Sequence, residues 1–134
     1  MARLIDSSVF IELDRRGETL GALEAAVGDE PFALASITAS ELLVGVIRSA
    51  TPRQHSRRLE FVESVLSQVP VVAFDLEIAR AHAQLTADLA AKGQSIGSND
   101  IQIAATALVR GYALLTHNVR HFERVPGLRI TFAN

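Results

Sequence analysis

The pattern that most limits the fold is an alternation. Short apolar runs of strand type recur, and each leads into a stretch of helical character. "ARLID" is an apolar run closed by Asp6, and "SSVFIELDRR" follows with helical character up to Gly17. "ETLGALEAAVG" is a second short helix with "GDEP" as its exit turn. "FALAS" reads as a strand, and Thr38 opens the next helix, which runs to about Ser49. "TPRQHSRRLEFVESVLSQ" has Thr51 placed to cap it and Pro52 at its first position, where a missing N–H costs nothing. "VPVVAF" reads as a buried strand. "DLEIARAHAQLTADLAAKG" is a helix capped by Asp75 and stopped by Gly93, and "SNDIQIAATALVRG" is another that ends at Gly111. "YALLT" is a strand, "NVRHFERVPG" a short helix and turn, and "LRITF" a last strand. Strands alternating with helices predict a parallel sheet with helices on its faces, in one α/β domain spanning 1–134.

Composition narrows the chemistry. With 49% hydrophobic residues in 134, the chain can bury a real core. It has no cysteine, which removes disulfides, thiolate-held zinc and thiol catalysis. There is no apolar run of membrane-spanning length, and "MARLIDSSVF" lacks the long apolar stretch of a secretory signal, so a cytoplasmic location is expected. The net charge is −2, and Lys92 is the only lysine. A polyanionic partner would therefore need metal ions or a local arginine cluster to attract it.

In parallel α/β sheets, ligands bind beyond the carboxyl ends of the strands. Asp6 ends the first strand, Thr38 and Glu41 open the helix after the second, and Thr116 and Asn118 follow "YALL". Asp100 lies near the start of another helix. Each acid also has an ordinary structural role open to it. Asp6 can cap the helix of "SSVFIEL". Glu41 can complete a T-x-x-E capping box with Thr38, and Asp100 can sit in a first turn favoured by the helix dipole. At 3.6 residues per turn, however, Asp100 shares a face with Ile103, Ala104 and Ala107, and its helix is apolar nearly all round. A carboxylate at the head of a buried stripe is expensive without compensation. Glu41 shares its face with Gly45 and Arg48, away from Leu42, Leu43, Val46 and Ile47, as if turned towards a cleft. Three acids brought together repel one another, and a divalent cation removes that penalty. Hard oxygen donors point to Mg²⁺, with Mn²⁺ as an alternative, and to phosphodiester chemistry.

The stretches "LIDSSVFIEL", "ASITASELLVGV" and "IGSNDIQIAATALVRGYALLTHNVRHFERVPGL" resemble those of PIN-domain ribonucleases, most closely the VapC-type toxins of type II toxin–antitoxin systems. The resemblance implies a PIN-like fold, a central parallel sheet of four to five strands flanked by helices. It also implies Mg²⁺- or Mn²⁺-dependent endonucleolytic cleavage of RNA, leaving 5′-phosphate and 3′-hydroxyl ends, with a cognate VapB-type antitoxin as inhibitor and a homodimer as the assembly. The family's metal ligands fall on Asp6, Glu41 and Asp100. A further position, often acidic in the family, falls on Asn118, whose neutral amide should hold a second metal more weakly. Thr116 falls in the family's T-x-N/D turn as a supporting hydroxyl, with Ser98 and Ser7 in similar roles.

Arg53, Arg57 and Arg58 in "TPRQHSRR" are candidates to position RNA, with Arg15, Arg16 and Arg120 behind them, against the ordinary role of solvating a helix face. His117 and His121 are spaced i,i+4 and so can share a face, for RNA or solvent rather than metal. His82 and His55 read as structural. Leu13, Leu20 and the run Leu42 to Ile47 are candidates to line an antitoxin groove. Two other function classes compete. A receiver-like signalling domain would need paired acids after the first strand and a late lysine; Ser7 and Ser8 follow Asp6, and Lys92 stands in the turn "AKGQ". A PIN-fold module that binds RNA or protein without efficient cleavage is kept open by Asn118.

Overall fold

The computed structural model describes residues 2–132. Twelve elements follow in the order β1 (Arg3–Ile5), α1 (Ser7–Arg15), α2 (Leu20–Val27), β2 (Phe32–Ala35), α3 (Ser36–Ile47), α4 (Pro52–Gln68), β3 (Val71–Val72), α5 (Leu76–Ala91), α6 (Ser98–Arg110), β4 (Ala113–Thr116), α7 (Val119–Phe122) and β5 (Ile130–Phe132). The five strands form one sheet in the order β3-β2-β1-β4-β5, and every pairing is parallel. This is the parallel α/β arrangement expected from the alternation.

The strands are short, so the period-2 alternation of side chains decides almost everything about layering. Leu4, Ala33, Ala35 and Leu114 point into a core layer with Leu89, Ile101, Ile103, Ala104 and Phe122. Their neighbours Ile5, Leu34 and Leu115 point into the other, with Val9, Phe10, Leu23, Leu42, Val46 and Val65. Helices α1 to α4 thus cover one face of the sheet, and α5 to α7 the other. α5 and α6 are also bound together at the surface, where Arg110 pairs with both Asp75 and Glu77.

Several boundaries fall where the capping residues place them. Thr51 accepts a hydrogen bond from the Gln54 N–H at 3.1 Å with Pro52 opening α4, and Asp75 accepts from the Ile78 N–H at 2.9 Å. Gly111 ends α6 in the left-handed conformation, φ +71°, which a side chain rarely adopts.

Two expectations are corrected. α3 begins at Ser36, two residues before Thr38, with Ala35 at the cap position and no side-chain cap. Thr38 therefore lies inside the first turn and there is no T-x-x-E capping box; "FALAS" gives up its last residue to the helix. Thr38 Oγ1 is instead fully buried with no hydrogen-bond partner among the described residues. "VPVVAF" is reduced to the two-residue β3 at the edge of the sheet, and Val71 is 45% exposed. An apolar run between two turns reads as buried from sequence, but only its position in the strand order shows that one side has no neighbour.

The order β3-β2-β1-β4-β5 fixes where a site can form. The chain builds outward from β1 through β2 to β3, then crosses back to place β4 on the other side of β1. The switch point therefore lies between β1 and β4, and crevices open there beyond the carboxyl ends of the strands. Asp6 follows β1 directly, and Thr116 is the last residue of β4.

Candidate active site

Asp6 occupies the switch point. It is 2% exposed, one of few buried charged side chains among the described residues. Its backbone N–H donates to Leu115 O at 2.9 Å, which fixes it against the end of β4. Its Oδ1 accepts from the Ser7 N–H at 2.9 Å, so the predicted helix cap is real. Its Oδ2 accepts from two hydroxyls, Ser8 Oγ and Thr116 Oγ1, both at 2.8 Å. A carboxylate offers about four acceptor positions; these three bonds leave one open, on Oδ1. Capping and site chemistry therefore do not compete for Asp6. The two hydroxyls extend the network. Thr116 Oγ1 accepts from the Asn118 N–H at 2.9 Å, and Ser8 Oγ accepts from the His117 N–H at 3.1 Å. The turn after β4 is thereby stitched to the turn after β1.

Glu41 projects from the second turn of α3 and is half-buried. Ser7 Oγ donates to its Oε1 at 3.3 Å. Its pKa is raised, first by burial and then by the negative charge of Asp6; the Ser7 hydrogen bond opposes the rise, Asp100 adds to it, and the Asn99 amide opposes it. Asp100 stands in the first turn of α6, above Ile103, Ala104 and Ala107, each fully buried. Burial also raises its pKa; the hydrogen bond to His121 works against that, and the charge of Asp6 adds to it. His121 Nδ1 lies 3.0 Å from Asp100 Oδ2. Three acids separated by 35 and 59 positions in the chain thus share one electrostatic field. That coupling is the central property of the site.

The remaining predicted residues take varied places. Ser7 bridges towards Glu41, and Thr116 holds Asp6. Ser98 opens α6 with its hydroxyl in solvent. Asn118 is exposed and precedes α7, and only its backbone joins the network described above. Arg53 is exposed at the start of α4. Arg57 lies 3.6 Å from Asp14, and Arg58 donates to Gly45 O at 3.1 Å. Arg15 and Arg16 are both paired with Glu12.

A groove runs beside Glu41 between α1, α3 and α4, lined by Phe10, Ile11, Leu42, Gly45, Val46, Phe61 and the guanidinium groups of Arg57 and Arg58. Gly45 has open space where a Cβ would stand. Leu42 and Val46 line it as expected. Leu20 is core, and Leu13 borders a different depression, with Arg16 and His117. Ile47, expected on the greasy side of α3, is instead 77% exposed.

Three groups lie against these acids that sequence reasoning did not place there. Ser8 has a local signal, a hydroxyl two residues after a capping acid. Asn99 and His121 have none, since each acts on an acid that only the fold brings near.

Comparison with known proteins bears on the family and the fold. The family model described as PIN domain matches residues 3–128. Ribonuclease VapC1 of Rickettsia felis is 35% identical over 130 residues, covering 97% of this chain and 95% of its own. The tRNA(fMet)-specific endonuclease VapC of Salmonella typhimurium is 40% identical over 97 residues, 72% of this chain and 71% of its own. Among solved structures, DNA-bound VapBC from Salmonella typhimurium superposes with a TM-score of 0.87 at 30% identity, covering 98% of each chain. VapBC2 from Rickettsia felis bound to a promoter DNA fragment gives 0.85 at 25% identity over the whole of both chains.

Proposed function

The chain belongs to the PIN-domain family, and on that premise we propose that it is a metal-dependent endoribonuclease, the toxin of a toxin–antitoxin pair. The observation that carries the reading is the gathering of Asp6, Glu41 and Asp100 beyond the carboxyl ends of a parallel sheet, where the charge of Asp6 acts on both other acids and that of Asp100 acts on Glu41.

The donors suit Mg²⁺ or Mn²⁺. All are hard carboxylate oxygens, and Glu41 and Asp100 have pKa values raised by burial and, further, by the charge of Asp6, both of which a bound cation would offset. Among the described residues, no three His, Cys, Asp or Glu side chains form a ready-made ion cage. Mg²⁺ does not require one, since it keeps much of its water and binds through one or two carboxylates plus substrate phosphate. Asp6, through its open Oδ1 position, with Asp100 and Glu41, would hold the ion. Once bound, it would supply Lewis acidity at the phosphate.

The chain's own residues then have distinct tasks. Asp6 is a fixed negative point, immobilised by Ser7, Ser8 and Thr116. Glu41 is half-buried and tied to Ser7, so it either helps to hold the ion or orients the attacking water. Arg120 is exposed on α7 with no ion pair among the described residues, and Arg53 is exposed on α4; both can meet flanking phosphates. Asn118, neutral where an acid is often found, favours one ion held firmly over two.

The groove beside Glu41 suits an amphipathic antitoxin segment. Its walls are apolar, its rim carries Arg57 and Arg58, and Gly45 leaves its floor open at some cost to α3. An occupant there would lie against Glu41 and block RNA. A homodimer is part of the same proposal. No helix among the described residues is long and apolar enough to cross a membrane.

The direct test is cleavage of total RNA and of purified tRNAs by the isolated protein. Initiator tRNA comes first, because one relative is named for it. Cleavage should need Mg²⁺ or Mn²⁺, stop with chelator, and disappear in Asp100→Asn. Full cleavage by that variant, or by the parent in excess chelator, defeats the reading.

A further inference from the structure

The two best-defined acids are held in opposite ways. Asp6 has three donors, all supplied by the residues next to it or by the end of β4. Asp100 has, among the described residues, one side-chain hydrogen-bond partner, His121, and it comes from another element. A His–Asp contact at a protein surface is worth little in general. Here its position is not left to chance. The next residue, Phe122, is fully buried in the core layer with Ile103, Ala104 and Ala107, the residues beneath Asp100. On the other side, the His117 and Asn118 N–H groups are tied to Ser8 Oγ and Thr116 Oγ1. The segment that carries His121 is therefore fastened at one end to the core under Asp100 and at the other to the hydroxyls that hold Asp6.

We propose that His121 is the positioning residue of the acidic site: its Nδ1–H donates to Asp100 Oδ2 and sets that carboxylate in the orientation in which it works with Asp6 and Glu41. The bond to an ionised Asp100 requires the proton on Nδ1, which leaves Nε2 as the bare nitrogen in the neutral ring. It also occupies one oxygen of Asp100 and leaves the other for a cation or its water. Partners that orient ligating carboxylates in this way typically change metal affinity or activity by about 10- to 100-fold when removed. The role rests on the nuclease reading above.

Two substitutions separate positioning from mere occupancy. His121→Phe keeps a ring and loses the donor. His121→Asn keeps a donor at the same number of bonds from the backbone as Nδ1. His121 is exposed, so neither should disturb the fold. Mn²⁺ titration of the RNA-free protein, followed by electron paramagnetic resonance, should show binding weakened about 10- to 100-fold in His121→Phe and restored to near the parent in His121→Asn. Nitrogen-15 spectra of the metal-free protein should show His121 as the Nδ1–H tautomer, and Asp100→Asn should abolish that preference. RNA cleavage should follow Mn²⁺ affinity. A parent that binds Mn²⁺ and cuts RNA, with a His121→Phe variant that matches it, overturns the positioning role alone. So does a His121 ring in the Nε2–H form, or a His121→Asn variant as weak as His121→Phe. A parent that neither binds Mn²⁺ nor cuts RNA overturns the nuclease reading and this role together.

Discussion

Asp6 and the pair Glu41–Asp100 carry the same chemical group into the same site, yet the protein treats them differently. Asp6 is sunk at the junction of β1 and β4 and is satisfied by a backbone N–H and two hydroxyls, so its charge is built into the fold. Glu41 and Asp100 stand half-buried on the second turn of α3 and the first turn of α6, each with few donors, and their pKa values are raised because burial and like charge are not offset. One acid is part of the scaffold. The other two are held at a cost to the fold, which suits the cation site proposed above.

Substitutions can break this contrast. Asp6→Ala should have the largest effect. It abolishes cleavage and also removes a cap worth about 1 kcal/mol while orphaning the Ser8 and Thr116 hydroxyls at about 1–3 kcal/mol each. Chemical denaturation should show a loss of about 3–7 kcal/mol; a loss under half a kilocalorie would mean that Asp6 is no scaffold element. Glu41→Gln should abolish cleavage equally but leave the metal-free protein as stable as the parent or more so.

The pH dependence gives the sign. Glu41 and Asp100 have folded pKa values above their ordinary 4.5 and 3.8. Their contribution to stability is thus fully present below those ordinary values and is lost as pH rises through the raised ones. In chelator, the difference in melting temperature between Glu41→Gln and the parent should grow in favour of the variant as pH rises through that window. A difference that shrinks with rising pH would place Glu41 in a favourable ion pair instead.

Two milder substitutions sharpen the comparison. Thr116→Val removes one donor to Asp6 and the acceptor of the Asn118 N–H in a fully buried position, and should cost about 1–2 kcal/mol with partial loss of activity. Gly45→Ala meets open space and should gain about 0.5–1 kcal/mol in helix stability while weakening antitoxin binding, measured by calorimetry with the purified partner. The smallest effect is expected at Thr38→Val. A capping threonine would cost about 1 kcal/mol when replaced, but an orphaned buried hydroxyl should cost nothing or be better removed. A clear destabilisation in that variant would restore the capping role.

Much of the arrangement is written in the chain as local pattern. The alternation of short apolar runs with helical stretches determines a parallel sheet flanked by helices, and Thr51, Pro52, Asp75 and Gly111 mark helix ends where the structure has them. The positions of Asp6, Glu41 and Asp100 directly after strands or at helix starts are equally local, which is why the candidate acids were legible. The failures were also local. Thr38 was misplaced because a helix start two residues earlier, at Ser36, carries no capping side chain to announce it. Strand β3 looked buried because its apolar residues cannot reveal that no strand lies beyond it.

What only the tertiary structure decided is which of these groups meet. Strand order places β4 against β1, and from that one neighbourhood follow Thr116 on Asp6, Ser8 on the turn after β4, and His121 on Asp100. None of those pairs leaves a trace in sequence spacing, because a hydrogen bond depends on a few ångströms in space and not on the 109 or 21 residues that separate its partners along the chain. The sequence by itself determined the parts and their carboxyl groups. The crossing of the chain between β3 and β4 decided that they form one charged site, and how tightly each acid in it is held.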